Sequence, residues 1–262
     1  MSSHTPHGGD RPRFSGEVAI VTGASRGIGF AIARQLAAEG ARVCITARHA
    51  EELERAVLAL PEGRAIGIAG KADDPEHRAR VLDAVADRFG RLDVLVNGAG
   101  ANPAYGPLAA LDLGAARKTL EVNLLAPLAW VQGALHHSDL GFREYRGRVV
   151  NISSSTAETP SPGIGFYGIA KAALSHLTRT LAAELGPEIR VNAVAPAVVK
   201  TKFSAALYEN EAEVASRYPL GRLGEPRDVA VAVTFLASRD ADWVTGRVLT
   251  LDGGLAAVGG TA

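Results

Sequence analysis

The sequence has one cysteine and no surplus of either charge. Cys44 has no second cysteine with which to form an internal disulfide, as is typical of a reducing compartment, so we expect a cytoplasmic protein. Lys and Arg together number 28, as do Asp and Glu, so the formal net charge is zero. This balance argues against a nucleic-acid-binding protein, which depends on cationic contacts with phosphates.

Long hydrophobic runs are also missing. No apolar stretch reaches the length of a membrane-spanning helix, and no charged start leads into the apolar segment of a signal peptide. We therefore expect no association with a membrane. The histidines are scattered and no H-E-x-x-H pattern occurs, so the sequence predicts no metal site.

What is present is an alternation of short β-branched runs with helix-like stretches, after a polar start rich in Gly and Pro. Strands are predicted at 18–22, 42–46, 65–69, 94–97, 148–152, 190–194 and 248–251. Helices are predicted at 29–39, 51–60, 75–89, 115–136, 167–186 and 226–237. Such alternation favours right-handed βαβ crossovers. We predict a flexible tail over 1–13 and a single doubly wound Rossmann-type α/β domain over 14–262, with a seven-stranded parallel sheet and helices on both faces.

The first predicted strand runs into "TGASRGIG". Gly23, Gly27 and Gly29 fall in the turn to the first helix, where missing Cβ atoms let the backbone approach a pyrophosphate at the helix N-terminus. After the second strand, where an NAD-binding fold places an acid on the ribose, the chain has Arg48. Arg48 and Arg26 suit a 2′-phosphate, although Arg48 has the alternative of being an ordinary solvated side chain. The sequence favours NADP(H).

"GFYGIAK" places Tyr167 and Lys171 four residues apart on one face of a predicted helix. A tyrosine with a pKa of about 10 exchanges protons poorly at neutral pH. An ammonium one helical turn away stabilises the phenolate, so we expect Lys171 to lower the pKa of Tyr167.

Several ordered motifs accompany this pair. They are "TGASRGIG" at 22–29, "NGAG" at 97–100, "EVNLL" at 121–125, "NISS" at 151–154, "YGIAK" at 167–171 and "NAVAPAVVKT" at 192–201. With them, the chain from about residue 16 to 255 resembles the short-chain dehydrogenase/reductase family. The resemblance implies that Tyr167 is the general acid/base and that Ser154, thirteen residues earlier, orients the carbonyl. It further implies that Lys171 holds the nicotinamide ribose and that Asn123 supports a water beside it.

The same resemblance implies a cofactor site at the carboxyl ends of the strands. Its expected residues are Gly23, Ser25, Arg26, Gly27, Ile28, Gly29, Arg48, Asp73, Asn97, Gly98, Ala99, Gly100, Tyr167, Lys171, Pro196, Val199 and Thr201. Asp73 is expected near the adenine, with Lys71 as the alternative residue at that position. Gly98 stands where asparagine is commoner in the family, so we expect weaker support for the central strand.

The expected activity is NADPH-dependent reduction of a ketone with apolar substituents, or oxidation of the corresponding secondary alcohol. The substrate pocket is predicted from apolar side chains on both sides of the site: Phe203, Leu207, Tyr208, Val214, Tyr218, Tyr105 and Leu108. One alternative is a reductase of 3-oxoacyl thioesters on an acyl-carrier protein, which would dock on Arg143, Arg146 and Arg148. A second is a nucleotide-binding regulator without turnover. The resemblance also implies a homotetramer built partly on the helices after the fourth and fifth strands.

Overall fold

The computed structural model describes residues 12–260 and contains the predicted parallel sheet. Residues 1–11 of the expected tail lie outside the described residues. The strands are β1 Val18–Thr22, β2 Arg42–Ala47, β3 Ala65–Ala69, β4 Val94–Asn97, β5 Arg148–Ile152, β6 Arg190–Pro196 and β7 Val248–Leu251. Their order is β3-β2-β1-β4-β5-β6-β7, and all neighbours pair in parallel. The predicted doubly wound α/β fold is confirmed.

Helices cover both faces of this sheet. They are α1 Gly27–Ala38, α2 Ala50–Leu58, α3 Pro75–Phe89, α4 Leu113–Leu120, α5 Ala126–His136, α6 Gly165–Leu185, α7 Glu211–Ala215 and α8 Pro226–Ala237. Alternate residues of β1 point to opposite faces, as a strand requires. Ala19 and Val21 pack with α1 and α8, whereas Val18 and Ile20 pack with α3, α5 and α6. Burial on both faces explains why the strand reads as an uninterrupted apolar run.

The strand order reverses between β1 and β4, which fixes where a ligand can enter. In an open parallel sheet, helices on the two sides of such a switch point diverge and leave a crevice beyond the carboxyl ends of the strands. The glycine turn after β1 and the loop after β4 both end there. The fold therefore brings the predicted motifs to one edge of the sheet.

The helix predicted at 115–136 is interrupted at its centre. A π-helical segment, Glu121–Leu125, separates α4 from α5 and contains Asn123. Pro127 follows Asn123 by four residues, so it has no N–H to donate to the Asn123 carbonyl, and its ring would collide with that carbonyl in a regular helix. The wider turn of a π-helix, which contains one more residue than an α-helical turn, relieves this conflict. Such π-helical segments occur often at functional sites.

Candidate active site

The glycine turn after β1 forms the floor of a large cleft. Gly23 has φ +69°, and a Cβ there would lie 2.8 Å from the Cα of Ala99 in the loop after β4. A Cβ on Gly29 would lie 2.4 Å from the carbonyl oxygen of Gly23. Both positions require glycine, because any side chain would push the turn away from its neighbours. The cleft in front of the turn measures about 1560 Å³.

Helix α1 points its N-terminus into this cleft. Arg26 precedes the helix in an extended conformation and gives its first turn no side-chain cap. The uncapped N–H groups and the positive end of the helix dipole suit an anion such as a pyrophosphate. The residues present therefore fit a dinucleotide, which supplies a hydride when a nicotinamide is bound.

Most of the predicted cofactor residues line this cleft. They are Gly23, Ser25, Arg26, Gly27, Ile28, Gly29, Arg48, Asp73, Gly98, Ala99, Gly100, Tyr167, Lys171 and Thr201. Asn97 does not: it is buried, and its amide donates a 2.9 Å hydrogen bond to Oδ1 of Asn151 in the next strand. Pro196 and Val199 line a second, adjoining pocket instead.

The loop after β4 is held by the end of β1. The hydroxyl of Thr22 accepts hydrogen bonds from the N–H groups of Gly98, at 3.0 Å, and Ala99, at 3.1 Å. A Cβ on Gly98 would lie 2.7 Å from the carbonyl oxygen of Thr22. Gly98 thus permits a close approach between the two strands, and the weaker support expected for the central strand stays a prediction.

Charged side chains surround the outer part of the cleft. Arg48 is exposed at its rim, and Arg26 pairs with Glu52, 2.9 Å away in the first turn of α2. Asp73 forms an ion pair with Lys118 of α4. Partial burial opposes ionisation of Asp73, but the hydrogen bond from Lys118 prevails and holds its pKa below the usual range. Lys71 lies in the same wall, so both alternatives for the adenine position line the cleft.

Lys171 extends from α6 and lines the inner end of the cleft. Its ammonium is buried and donates a 2.8 Å hydrogen bond to the carbonyl oxygen of Ile152, the last residue of β5. Burial lowers the pKa of Lys171 to about 7. Its nitrogen lies 5.5 Å from the centre of the Tyr167 ring.

Tyr167 lies where two cavities meet. It lines the cofactor cleft and also a smaller pocket of about 690 Å³. Burial raises the pKa of Tyr167, and Tyr105 adds to the effect. This differs from the expectation that Lys171 lowers that pKa, because desolvation of the phenolate is the largest influence on it.

Ser154 lines the smaller pocket beside Tyr167. Its oxygen accepts hydrogen bonds from the hydroxyl of Thr156, at 2.9 Å, and from the N–H of the same residue, at 3.3 Å. Both bonds use lone pairs of Ser154, so its own proton remains available to a substrate oxygen. Sequence reasoning missed Thr156, whose only signal is its place two residues after the serine.

Asn123 fastens the loop after β4 to the π-helical segment. Its amide donates to the carbonyl oxygens of Ala101, at 2.7 Å, and Thr119, at 2.9 Å, and its Oδ1 accepts from the N–H of Ala101 at 3.3 Å. A Cβ on Gly100 would lie 3.2 Å from Asn123 Oδ1 and 3.8 Å from Lys171 Nζ. Asn123 and Lys171 therefore converge on the same glycine.

The wall of the smaller pocket is only partly the one predicted. Tyr105, Phe203 and Leu207 line it, with Ile164 and Val198. The other predicted residues pack elsewhere. Tyr218 is buried beside Val198 and Leu223 with Tyr208 and Val214 against them, while Leu108 faces Gly165. The sequence did not show which apolar side chains pack inside the segment after β6 and which line the pocket.

Two structural observations bear on other functions. Within residues 12–260, no helix is long and apolar enough to cross a membrane. Over the same residues, His, Cys, Asp and Glu side chains do not gather in a group of three or more that would hold a metal ion.

Comparison with known proteins identifies the family. Residues 23–256 match a family model described as enoyl-(acyl carrier protein) reductase. Human dehydrogenase/reductase SDR family member 4 is 37% identical over 254 residues, which cover 93% of this chain and 89% of the relative. Tropinone reductase-like 3 of Erythroxylum coca is 38% identical over 247 residues, which cover 92% of this chain and 94% of the relative.

Solved structures agree with this result. A short-chain dehydrogenase/reductase of Brucella melitensis has a TM-score of 0.87 and 30% identity, covering 94% of this chain and 99% of its own. A blue fluorescent protein from a metagenomic library, in complex with NADPH, has a TM-score of 0.84 and 37% identity. The match covers 93% of this chain and 99% of that protein. The chain belongs to the short-chain dehydrogenase/reductase family and is a nicotinamide-dependent oxidoreductase acting on C=O and CH–OH groups.

Proposed function

We propose that the protein is an NADPH-dependent reductase of ketones with apolar substituents, working reversibly. One observation carries the proposal: Tyr167 lies in the wall shared by the cofactor cleft and an apolar pocket. A carbonyl in the pocket is thereby within reach both of a proton donor and of a hydride supplied from the cleft.

The proton chemistry follows from burial. Because the pKa of Tyr167 is raised, the phenol is protonated at neutral pH and acts as a general acid toward the carbonyl oxygen. Ser154 donates a second hydrogen bond to that oxygen and stabilises the negative charge that develops on it. Lys171, held by Ile152, binds the ribose of the cofactor. Asn123 positions the loop after β4 through its hydrogen bonds with Ala101.

The preference for NADPH is supported by the charges around the cleft. Arg48 and Arg26 line the cleft, and guanidinium groups bind phosphate with paired hydrogen bonds. The carboxylate of Asp73 is partly neutralised by Lys118. An acid that would bind a free ribose diol does not follow β2, where Arg48 stands.

We further propose that the substrates are small or medium ketones and not carrier-bound thioesters, and the position of the candidate docking arginines supports this. Arg148 begins β5, whereas the site lies beyond Ile152 at its other end, roughly 13 Å along the strand. Arg148 is also buried, forms an ion pair with Glu17 and donates to the carbonyl oxygen of Ala237. Neither Arg148 nor the neighbouring Arg143, which is 3.8 Å from Glu188, is placed to steer an acidic partner to Tyr167.

A panel of carbonyl compounds tests this function. NADPH oxidation is followed by absorbance with aliphatic and aryl ketones, free 3-oxo esters, sugars and charged oxo acids. We expect the highest kcat/KM with apolar ketones. A preference for sugars or polyanions, or no turnover with any carbonyl while NADPH binds, would contradict the proposal, and the second outcome would favour a regulatory protein.

A further inference from the structure

A carboxylate lies beside one of the two arginines assigned to the 2′-phosphate. The oxygens of Glu52 are 2.9 and 3.1 Å from Nη1 of Arg26, and Oε2 is also 3.5 Å from the hydroxyl of Ser25. Arg26 and Glu52 have side-chain exposures of 51% and 31%, and both line the cofactor cleft. The ion pair is therefore inside the space that a bound dinucleotide would share.

We propose that Glu52 is a specificity-determining residue that competes with the 2′-phosphate of NADPH for Arg26 and so limits the preference for NADPH over NADH. The inference rests on the proposed preference for NADPH. It concerns the size of that preference, which the two arginines alone do not determine.

The competition follows from the bonding capacity of Arg26. Nη1 already donates to both oxygens of Glu52, so a phosphate either displaces this carboxylate or binds next to it. In the second case two anionic groups lie within a few ångströms, and their repulsion opposes binding. A cofactor with a free 2′-hydroxyl leaves the Arg26–Glu52 pair undisturbed. The cost therefore falls on the phosphorylated cofactor alone.

Arg48 explains why a preference for phosphate remains. It is exposed at the rim of the cleft, and in the portion of the chain that the structure describes it forms no ion pair. Arg48 is thus free to bind phosphate while Arg26 is partly occupied. Removal of the Glu52 charge would make both guanidinium groups available.

Calorimetric titration of the cofactor-free, full-length protein with NADP⁺ and NAD⁺ tests the inference, since the two ligands differ by the one phosphate. Glu52→Gln keeps the shape of the side chain and an oxygen that accepts from Arg26. We expect the Kd for NADP⁺ to fall about five- to tenfold and the Kd for NAD⁺ to stay within twofold. Glu51→Gln is the matched control, because Glu51 is exposed in the same first turn of α2. It should change neither Kd.

A second variant separates competition from positioning. Glu52→Ala removes the hydrogen bonds together with the charge, and competition predicts tighter NADP⁺ binding in this variant also. Weaker NADP⁺ binding in either variant would assign Glu52 to holding Arg26 in place and would overturn the inference, as would an unchanged ratio of the two Kd values. A wild-type preference for NAD⁺ would refute the proposed cofactor, yet a gain confined to NADP⁺ in Glu52→Gln would still support competition.

Discussion

The ammonium of Lys171 and the carbonyl oxygen of Ile152 are 2.8 Å apart, so helix α6 is tied to the carboxyl end of β5. Tyr167 lies one helical turn before this anchor, and Ser154 lies two residues after the carbonyl that receives the bond. This hydrogen bond, together with the one that Ser153 Oγ donates to the carbonyl oxygen of Lys171 at 3.1 Å, helps to fix the relative position of Tyr167, Lys171 and Ser154.

Removal of the Tyr167 hydroxyl should stop proton transfer and leave the cofactor in place. We expect Tyr167→Phe to lower kcat by about 10²–10⁴-fold, the usual contribution of a general acid, with the Kd for NADPH within twofold of the wild type. Stopped-flow turnover and fluorescence titration measure the two quantities. Tyr145→Phe, an exposed tyrosine near the amino end of β5, is the control. Activity close to wild type in Tyr167→Phe would contradict the mechanism.

Lys171 should make the stability of the cofactor-free protein depend on pH. Burial lowers its pKa from 10.5 to about 7, so between these values the unfolded chain holds a proton that the folded protein has released. Stability therefore rises with pH across this window and is lowest below pH 7. Relative to Lys171→Met, the wild type should gain about 2 kcal/mol of unfolding free energy between pH 7.5 and 9.5, measured by urea denaturation. Equal changes in both proteins would show that Lys171 titrates elsewhere.

Arg48 should control the choice between the two cofactors. We expect Arg48→Asp to erase or invert the preference for NADPH, because a carboxylate repels phosphate and accepts hydrogen bonds from a free ribose diol. The measurement is kcat/KM with NADPH and with NADH. Arg88→Asp, at an exposed position in the last turn of α3, makes the same charge change far from the cleft. A wild-type preference for NADH would refute the assignment.

Most of the fold could be predicted because burial on both faces gives the strands uninterrupted apolar runs with recognisable helices between them. All seven strands occur at the predicted places, with β2 and β6 slightly longer. The π-helical segment was missed although Pro127 marked it, since helical periodicity continues across the interruption. The pair formed by Arg26 and Glu52 was also missed. Contacts between residues of different elements depend on how the elements pack, and one-dimensional spacing does not contain that information.

The proximity of the candidate catalytic residues was easier to predict than the wall of the pocket. Tyr167 and Lys171 share a helix, so their spacing alone puts them together. The sequence did not show that the side chain of Asn97 is buried, because its partner Asn151 lies on an adjacent strand and accepts a hydrogen bond from its amide. The pocket depends on a segment between β6 and α8 without long regular structure, where Tyr218 turns inward to accept a hydrogen bond from the N–H of Val198 at 3.3 Å.

Assembly into a homotetramer remains a prediction, and we expect exposed apolar side chains to form its contacts. Leu125 is 47% exposed at the end of the π-helical segment, and Phe235 is 40% exposed on α8. A tetramer with twofold symmetry uses more than one interface, so Leu125→Glu and Phe235→Glu should each reduce it to dimers. Multi-angle light scattering at micromolar concentration measures the mass. Leu58→Glu, 84% exposed on α2, is the control. A monomeric wild type would refute the prediction.

The segment after β6 should contribute binding to the apolar part of a ketone. Phe203 lies 6.1 Å from Tyr167 between ring centres and lines both the pocket and the cleft. Phe203→Ala would remove an apolar wall and admit water to the site, so kcat/KM for an apolar ketone should fall about 10- to 100-fold. For the smallest substrate, acetone, the loss should be smaller. An equal loss for all ketones would indicate that Phe203 acts on the cofactor instead.

Attachment of the substrate to a carrier protein should bring little advantage. Carrier proteins are acidic and dock on basic surface, but Arg148 is buried and paired with Glu17 at the amino end of β5, on the opposite edge of the sheet from Tyr167. We therefore expect kcat/KM for a 3-oxoacyl group to be similar on a small thiol and on an acyl-carrier protein. Steady-state kinetics with matched acyl chains compare the two. A hundredfold gain with the carrier, about 2.7 kcal/mol of added transition-state binding, would make the carrier-bound thioester the substrate.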